Sequence, residues 1–309
     1  MMLPKFILPA LLAASAIASP LTLQKRDPVM PEVKGYSAQH TSQIKDAFSD
    51  AYHLAMNALG APDDQFDKIF KNYFNMEDKN TVKGESIHNV VVLITMVSRP
   101  ILLTTYTEVL KKILGSYPTQ NPGNPLIKDI SVVADYKHNG EFSCDGYTAA
   151  ELREWWTDHP KMIICDGPGL SHGGIRKGYT NVKAINCDYL DKRVSWKMDT
   201  LGATILHELT HWEKLVVPPL KKETDDDFDH YGCYGAHKLP KDKSTNIADQ
   251  YNWFATELLW TMSCGKDYAE PTEKSTNDPH CGDHFCTALK EDKSKEDKSK
   301  ENKPKKDKP

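Results

Sequence analysis

The chain has 309 residues, of which 27% are charged, and its formal net charge is −4 at pH 7. Residues 1–26 and residues 290–309 each carry a net charge of +3, which leaves about −10 on the body between them. An acidic body lacks the electrostatic footprint of a nucleic-acid-binding protein, so we expect no nucleic-acid partner. A body of about 260 residues is long enough for one domain with a substantial core.

Residues 1–18 are predicted to be a secretory signal peptide. Lys5 precedes an apolar run from Phe6 to about Ala18, which is too short to span a bilayer and ends in small residues. A buried N-terminal helix is the alternative. The dibasic pair Lys25-Arg26 is typical of a maturation site, so residues 19–26 are predicted to be a short pro-segment; an exposed surface pair is the other interpretation. We therefore expect a secreted, extracellular protein with no membrane span.

Residues 27–289 are predicted to form one α+β domain, because helices, a few strands, a central helix and a closing helix follow one another along the chain. Apolar residues at helical spacing predict helices at 37–59, 63–74 and 101–114. The apolar segment 81–99 suits either a helix or a buried strand. Short strands are predicted at 130–136 and 161–165, and the closing helix at about 245–262.

Residues 290–309 have a different composition from the body. The unit Glu-Asp-Lys-Ser-Lys occurs twice in succession, and no aliphatic or aromatic residue is present. Nothing there offsets the entropy of ordering the chain. The segment is predicted to be a disordered, solvated tail.

The sequence contains seven cysteines, which after a signal peptide predict disulfide bonds. Six can pair, and the seventh is then free or paired between chains. Cys281–Cys286 and Cys144–Cys165 are the two bridges that we predict. Metal binding by the cluster His280-Cys281 and His284-Phe-Cys286 is the alternative to the first of them.

The most informative segment is His207-Glu208-Leu209-Thr210-His211, an HExxH pattern inside the apolar stretch 201–212, which is predicted to be a helix. Residues four apart share a helix face, so both imidazoles can bind one metal ion. Glu208 lies beside them, placed to take a proton from a metal-bound water. A helix that merely carries two histidines is the alternative, but a buried histidine pair beside a buried glutamate is costly unless a ligand satisfies it.

A catalytic zinc usually has three protein ligands. After His211 the chain reads Trp-Glu-Lys-Leu-Val-Val-Pro-Pro, so no third histidine follows at the metzincin spacing. The remaining candidates are the acidic segment 225–229, Asp249 and the distant Glu257.

Three features together resemble one known family. They are the HExxH segment, the segment from Thr224 to the Tyr-Gly pairs at 231–235, and Ala248-Asp-Gln-Tyr-Asn-Trp-Phe-Ala-Thr-Glu257. Over about residues 130–265 the chain resembles the deuterolysin-type fungal zinc metallopeptidases, or aspzincins, a family that also contains lysine-directed members. The resemblance implies a zincin-like fold with N-terminal helices, a small sheet, an active-site helix and a C-terminal helix. It also implies secretion, and protein or peptide substrates.

The resemblance also implies an aspartate as the third zinc ligand and a tyrosine that helps to hold the oxyanion. The strict spacing of the family motif would place Phe228 where the aspartate belongs. We therefore carry the ligand role to Asp229, with Asp227 or Asp249 as alternatives. The tyrosine is expected to be Tyr234, with Tyr231 as the alternative. If it is not a ligand, Asp249 is expected to orient a histidine.

The sequence thus predicts a secreted zinc-dependent endopeptidase, expected to be a monomer, with one catalytic Zn²⁺ held by His207, His211 and Asp229. Glu208 is the predicted general base, and Tyr234 the predicted oxyanion donor. The alternative is a non-catalytic surface antigen of the same fold that binds or scavenges zinc. Glu208 discriminates between the two, because a zinc scavenger does not need it.

Overall fold

A computed structural model describes parts of the predicted domain. The described residues are 28–75, 105–115, 123–134, 137–138, 141–142, 144, 148–165, 182–184, 186–218 and 220–276. The predicted signal peptide, pro-segment and tail, the segment 81–99 and the cluster at 280–286 lie outside them.

Helices make up most of the described structure. They are α1 (Ala38–Gly60), α2 (Asp63–Tyr73), α3 (Thr105–Leu114), α4 (Leu201–Thr210), α5 (Glu213–Val216), α6 (Gly232–Lys238), α7 (Ala248–Cys264) and α8 (Glu273–Thr276). The helices predicted at 37–59 and 63–74 are confirmed as α1 and α2. The closing helix starts later than predicted, because residues Lys241–Asn246 form a separate 3-10 helix before α7.

In the described ranges, six short strands accompany the helices: β1 (Glu32–Lys34), β2 (Ser131–Val133), β3 (Lys137–His138), β4 (Glu141–Phe142), β5 (Ala150–Arg153) and β6 (Lys161–Ile164). Four of them form a sheet in the order β1-β2-β6-β5, and β3 pairs with β4 in a separate hairpin. β1, β2 and β6 are parallel, whereas β5 runs antiparallel to β6 and forms an edge of the sheet. The predicted α+β class is confirmed. The strands predicted at 130–136 and 161–165 are present as the shorter β2 and β6.

The hydrophobic core contains side chains from both the helices and the sheet. In α1, side chains such as Ile44, Phe48 and Tyr52 recur at helical spacing and are almost fully buried. α1 lies against α4 at very short distance, which only a glycine at position 202 permits. A Cβ on Gly202 would lie 2.5 Å from the Cβ of Asp50 and 3.0 Å from the carbonyl oxygen of Ala47. This close packing fixes the position of α4 relative to α1.

Two disulfide bonds tie the described chain together. Cys144–Cys165 links the segment before β5 to the end of β6, as predicted. Cys187–Cys264 links a turn to the last residue of α7 and was not predicted. Neither of these two disulfides includes Cys233, which is buried. Two disulfides are compatible with an extracellular protein.

No helix in the described ranges combines the length and the apolar character that crossing a bilayer requires.

Candidate metal centre

Helix α4 carries the HExxH segment at its C-terminal end. The helix begins where the Thr200 hydroxyl accepts a hydrogen bond from the backbone N–H of Ala203 at 3.1 Å. Nine of its ten residues are buried. His207 and His211 lie one turn apart on the same side, with their ring centres 5.0 Å apart and their Nε2 atoms 3.2 Å apart. The predicted pairing of the two imidazoles is therefore present.

The Nδ1 atom of each ring already has a hydrogen-bond partner. His207 Nδ1 lies 2.8 Å from Asp249 Oδ1, and His211 Nδ1 lies 2.8 Å from the carbonyl oxygen of Thr224. A carbonyl and an ionised carboxylate only accept hydrogen bonds, so both Nδ1 atoms carry the proton in the neutral rings. Both Nε2 atoms then direct lone pairs at the same point. Two facing lone pairs repel each other unless a cation or a proton lies between them.

Asp226 completes this group. Its Oδ1 lies 3.0 Å from Nε2 of His207 and 3.6 Å from Nε2 of His211. In the described part of the chain, His207, His211 and Asp226 form a group of side chains whose ligand atoms lie close enough together to hold one metal ion. We call these three residues the metal group. Two imidazoles and one carboxylate suit a divalent transition metal.

The histidines and the neighbouring carboxylates shift one another's pKa values. Burial alone would lower the pKa of His207, but hydrogen bonds to Asp226 and Asp249 outweigh burial and raise this pKa well above its ordinary value. The pKa of His211 is also raised, because its hydrogen bond to Asp226 and the nearby carboxylates outweigh burial and the His207 charge. Burial would raise the pKa of Asp226, yet the two imidazoles lower it. The surrounding carboxylates therefore favour a positive charge at this position.

The predicted ligand Asp229 is not part of this group. Residues Phe228–His230 form a 3-10 turn in which the backbone N–H of Asp229 donates to Oδ1 of Asp227 at 3.2 Å. The other carboxylate oxygen of Asp227 lies 3.1 Å from Nδ1 of His230. Asp227 is thus engaged in the local turn, and the structure brings Asp226, rather than the predicted Asp229, together with the two histidines.

The physical reason lies in the backbone of residue 225. Its N–H donates to the carbonyl of Asn246 at 2.7 Å, and its carbonyl accepts the N–H of Ala248 at 3.1 Å. This bridge to the segment before α7 runs the chain past the histidines in an extended conformation. Asp226 is the next residue, before the 3-10 turn begins. No spacing rule within the acidic segment reveals a contact with residues about twenty positions downstream.

Asp249 orients a histidine, as expected. Besides its bond to His207, its Oδ2 accepts the backbone N–H of Gly232 at 2.6 Å. Asp249 is therefore fixed between the metal group and the start of α6. The distant candidate Glu257 lies elsewhere: its Oε2 accepts the Tyr73 hydroxyl at 2.7 Å and lies 3.1 Å from Nε2 of His237.

Glu208 is 5% exposed and points toward the sheet. Its Oε2 accepts the backbone N–H of Leu152 in β5 at 2.8 Å. Burial raises the pKa of the Glu208 carboxyl, and the neighbouring histidines offset part of this effect. The edge strand of the sheet thus sets the direction of the carboxylate beside the metal group. The sequence did not reveal this role of Leu152, because the bond uses only a backbone atom.

The structure places Tyr231 beside the metal group in place of the predicted Tyr234. The ring centre of Tyr231 lies 5.8 Å from that of His207, and the residue is 39% exposed. Tyr234 lies within α6, with Nζ of Lys238 5.6 Å from its ring centre. Tyr231 directly precedes α6, whose first N–H is held by Asp249, and this places its ring near His207. Tyr231, the alternative to Tyr234, is therefore the tyrosine that the structure places near His207.

The metal group is reachable from solvent. Asp226 and Tyr231 are exposed on one side, whereas Glu208 is buried on the other. Such a centre can bind a metal ion and keep a position open for a further ligand. No protein-family model matches this chain, and no curated protein is similar to it at a significant level.

Proposed function

We propose that this protein is a secreted zinc-dependent endopeptidase with a zincin-like fold, related to the aspzincins. One observation carries the proposal. The Nε2 atoms of His207 and His211 lie 3.2 Å apart beside Asp226, each ring has its Nδ1 proton held elsewhere, and Glu208 is the next residue on the same helix.

The ligand set favours zinc. Two neutral imidazoles and one carboxylate are ligands that zinc accepts readily, and three protein ligands are typical of catalytic zinc sites, in which one position is open. When bound there, zinc would supply a Lewis acid that activates water and polarises a peptide carbonyl. His207, His211 and Asp226 would hold it, and Asp249 and the Thr224 carbonyl would keep the two imidazoles in the required tautomer.

Glu208 would perform the proton transfers. The Leu152 N–H orients its carboxylate, which takes a proton from the attacking water and passes it to the nitrogen of the departing amine. The Tyr231 hydroxyl would donate a hydrogen bond to the oxyanion as negative charge develops on the carbonyl oxygen. A buried carboxylate is costly to maintain, and a protein that only captured zinc would have no use for it.

The edge strand β5 would bind the substrate backbone. β5 is paired with β6 on one side, and on the other side it is adjacent to Glu208. An extended peptide can add to such an edge by main-chain hydrogen bonds at positions other than the Leu152 N–H, which Glu208 accepts, and this would bring its carbonyl groups past Glu208.

The direct test measures metal content and activity on the same preparation. Protein purified from the culture medium should contain about one zinc per chain and cleave denatured casein. Chelation should abolish cleavage, and added zinc should restore it. Bound zinc without cleavage of casein or of a mixed peptide library would favour the zinc-scavenging alternative instead.

A further inference from the structure

The turn between β5 and β6 carries two adjacent tryptophans. Trp156 is 59% exposed, the highest exposure of any large hydrophobic side chain in the described ranges. The rings of Trp155 and Trp156 are perpendicular, with centres 5.2 Å apart. Glu154 precedes them with φ of 56°, a left-handed conformation that side chains other than glycine rarely adopt. Its carbonyl accepts the N–H of Thr157 at 2.9 Å, and this hydrogen bond closes the turn that carries the two tryptophans.

A small open cavity lies beside these rings. Its volume is about 100 Å³, and it is lined by residues 151–156. Leu152 is part of the lining, and its N–H is the group that orients Glu208. An enclosed apolar cavity of about 150 Å³ holds a benzene molecule, so this smaller open one has room for the end of a single side chain. One lining residue of the cavity is therefore hydrogen-bonded to the carboxylate that acts as the base in the proposed function.

The position of the turn relative to the metal ligands is fixed. The indole N–H of Trp212, the residue after His211, donates to the carbonyl of Thr157 at 3.2 Å. Lys214, two residues further, forms an ion pair with Asp158. The turn is thus attached to α4 and α5 as well as to the sheet. A side chain held against Trp156 would have a constant distance from the metal group.

Each acidic residue of the cavity has a basic partner. Oε1 of Glu151 lies 2.5 Å from Nε of Arg153, and Oε1 of Glu154 lies 2.6 Å from Nζ of Lys161. A lysine side chain would have to compete with these intramolecular partners for each carboxylate. The remaining lining consists of Leu152 and the two indole rings, which favour an apolar occupant.

We propose that Trp156 and the cavity beside it form a substrate subsite that selects a large apolar side chain, such as leucine or phenylalanine, close to the scissile bond. This inference rests on the proposed endopeptidase activity and adds a substrate class to it. The selection differs from a preference for lysine, because the two carboxylates of the cavity have basic partners.

The test compares peptides that differ at one position, with leucine, phenylalanine, lysine or alanine, scanned on both sides of the cleaved bond. Trp156→Ala should lower kcat/KM about 10-fold for the leucine and phenylalanine peptides at one position and leave the alanine peptide nearly unchanged. Trp156→Phe should retain most of the selectivity. Tyr189→Ala removes another exposed aromatic side chain, 42% exposed, and should change nothing.

Peptide binding to the Glu208→Gln protein separates this inference from the proposed function. Fluorescence anisotropy should give about 10-fold weaker binding of the leucine peptide when Trp156→Ala is added, and no such change for the alanine peptide. This result supports the subsite even if the parent protein cleaves nothing, an outcome that would refute the endopeptidase proposal alone. Equal losses for all peptides, no loss, or selection of lysine by the parent at every position would overturn the subsite.

Discussion

Nδ1 of His207 and Oδ1 of Asp249 lie 2.8 Å apart, and the second oxygen of the same carboxylate holds the first N–H of α6. One buried side chain thus holds both a candidate metal ligand and the first residue of α6. Because Tyr231 directly precedes α6, Asp249 also controls the position of this ring beside His207. The metal group and the proposed oxyanion donor are therefore coupled through α7.

Asp249→Asn should weaken zinc binding without abolishing it. The amide keeps the shape of the carboxylate but loses the charge that holds the Nδ1 proton, so the His207 ring would be less well oriented. Replacing a partner of this kind typically costs about 10- to 100-fold in metal affinity. Competition with a zinc-binding dye measures the change. An unchanged affinity would show that α4 alone orients the ring.

Asp226→Ala should lower zinc affinity much more than Asp229→Ala. The first change removes the carboxylate that lies 3.0 Å from His207 Nε2, whereas the second removes a side chain outside the metal group. The two variants are matched in charge and type and lie three residues apart. Zinc content after dialysis, measured by elemental analysis, distinguishes them. If Asp229→Ala loses more zinc, the ligand assignment made from the sequence was the right one.

His207, Glu208 and His211 could be predicted because their relation is local: four residues of helix place two rings together. Asp226 could not, because its position depends on a backbone bridge to residues 246–248. β5 was missed for a similar reason. Its four residues, Ala-Glu-Leu-Arg, are too few for a periodic signal, and pairing with β6 makes the strand. Cys187–Cys264 spans 77 residues, so no local pattern indicates that bridge.

Glu208→Gln should leave zinc bound and remove the activity. The amide can still accept the Leu152 N–H, so the local geometry is retained, but it cannot take a proton from water. Loss of a general base typically lowers kcat by about 100- to 10,000-fold. Zinc content and casein cleavage should be measured on one preparation. Activity equal to that of the parent would exclude Glu208 as the base.

Zinc affinity should fall as the pH is lowered. The pKa values of His207 and His211 are raised in the metal-free protein, so these rings hold protons that zinc must displace. Because both values lie above the ordinary histidine value of about 6.5, the decline should already begin near neutral pH. Dissociation constants measured from about pH 8 to about pH 6 test this. A constant affinity over that range would mean that the metal-free rings are already unprotonated.

Gly202→Ala should destabilise the domain. The added Cβ would overlap Cβ of Asp50 and press on the carbonyl of Ala47, so α4 would have to move away from α1. Overpacking of this kind typically costs about 1–3 kcal/mol of unfolding free energy. Gly60→Ala is the matched control, since a Cβ at the end of α1 would have no neighbour within 4 Å. Urea denaturation followed by tryptophan fluorescence compares the two variants with the parent.

Because α4 carries both histidines, Gly202→Ala should also reduce zinc retention, whereas Gly60→Ala should not. Equal stability of the two variants would show that the α1–α4 contact is looser than these distances require.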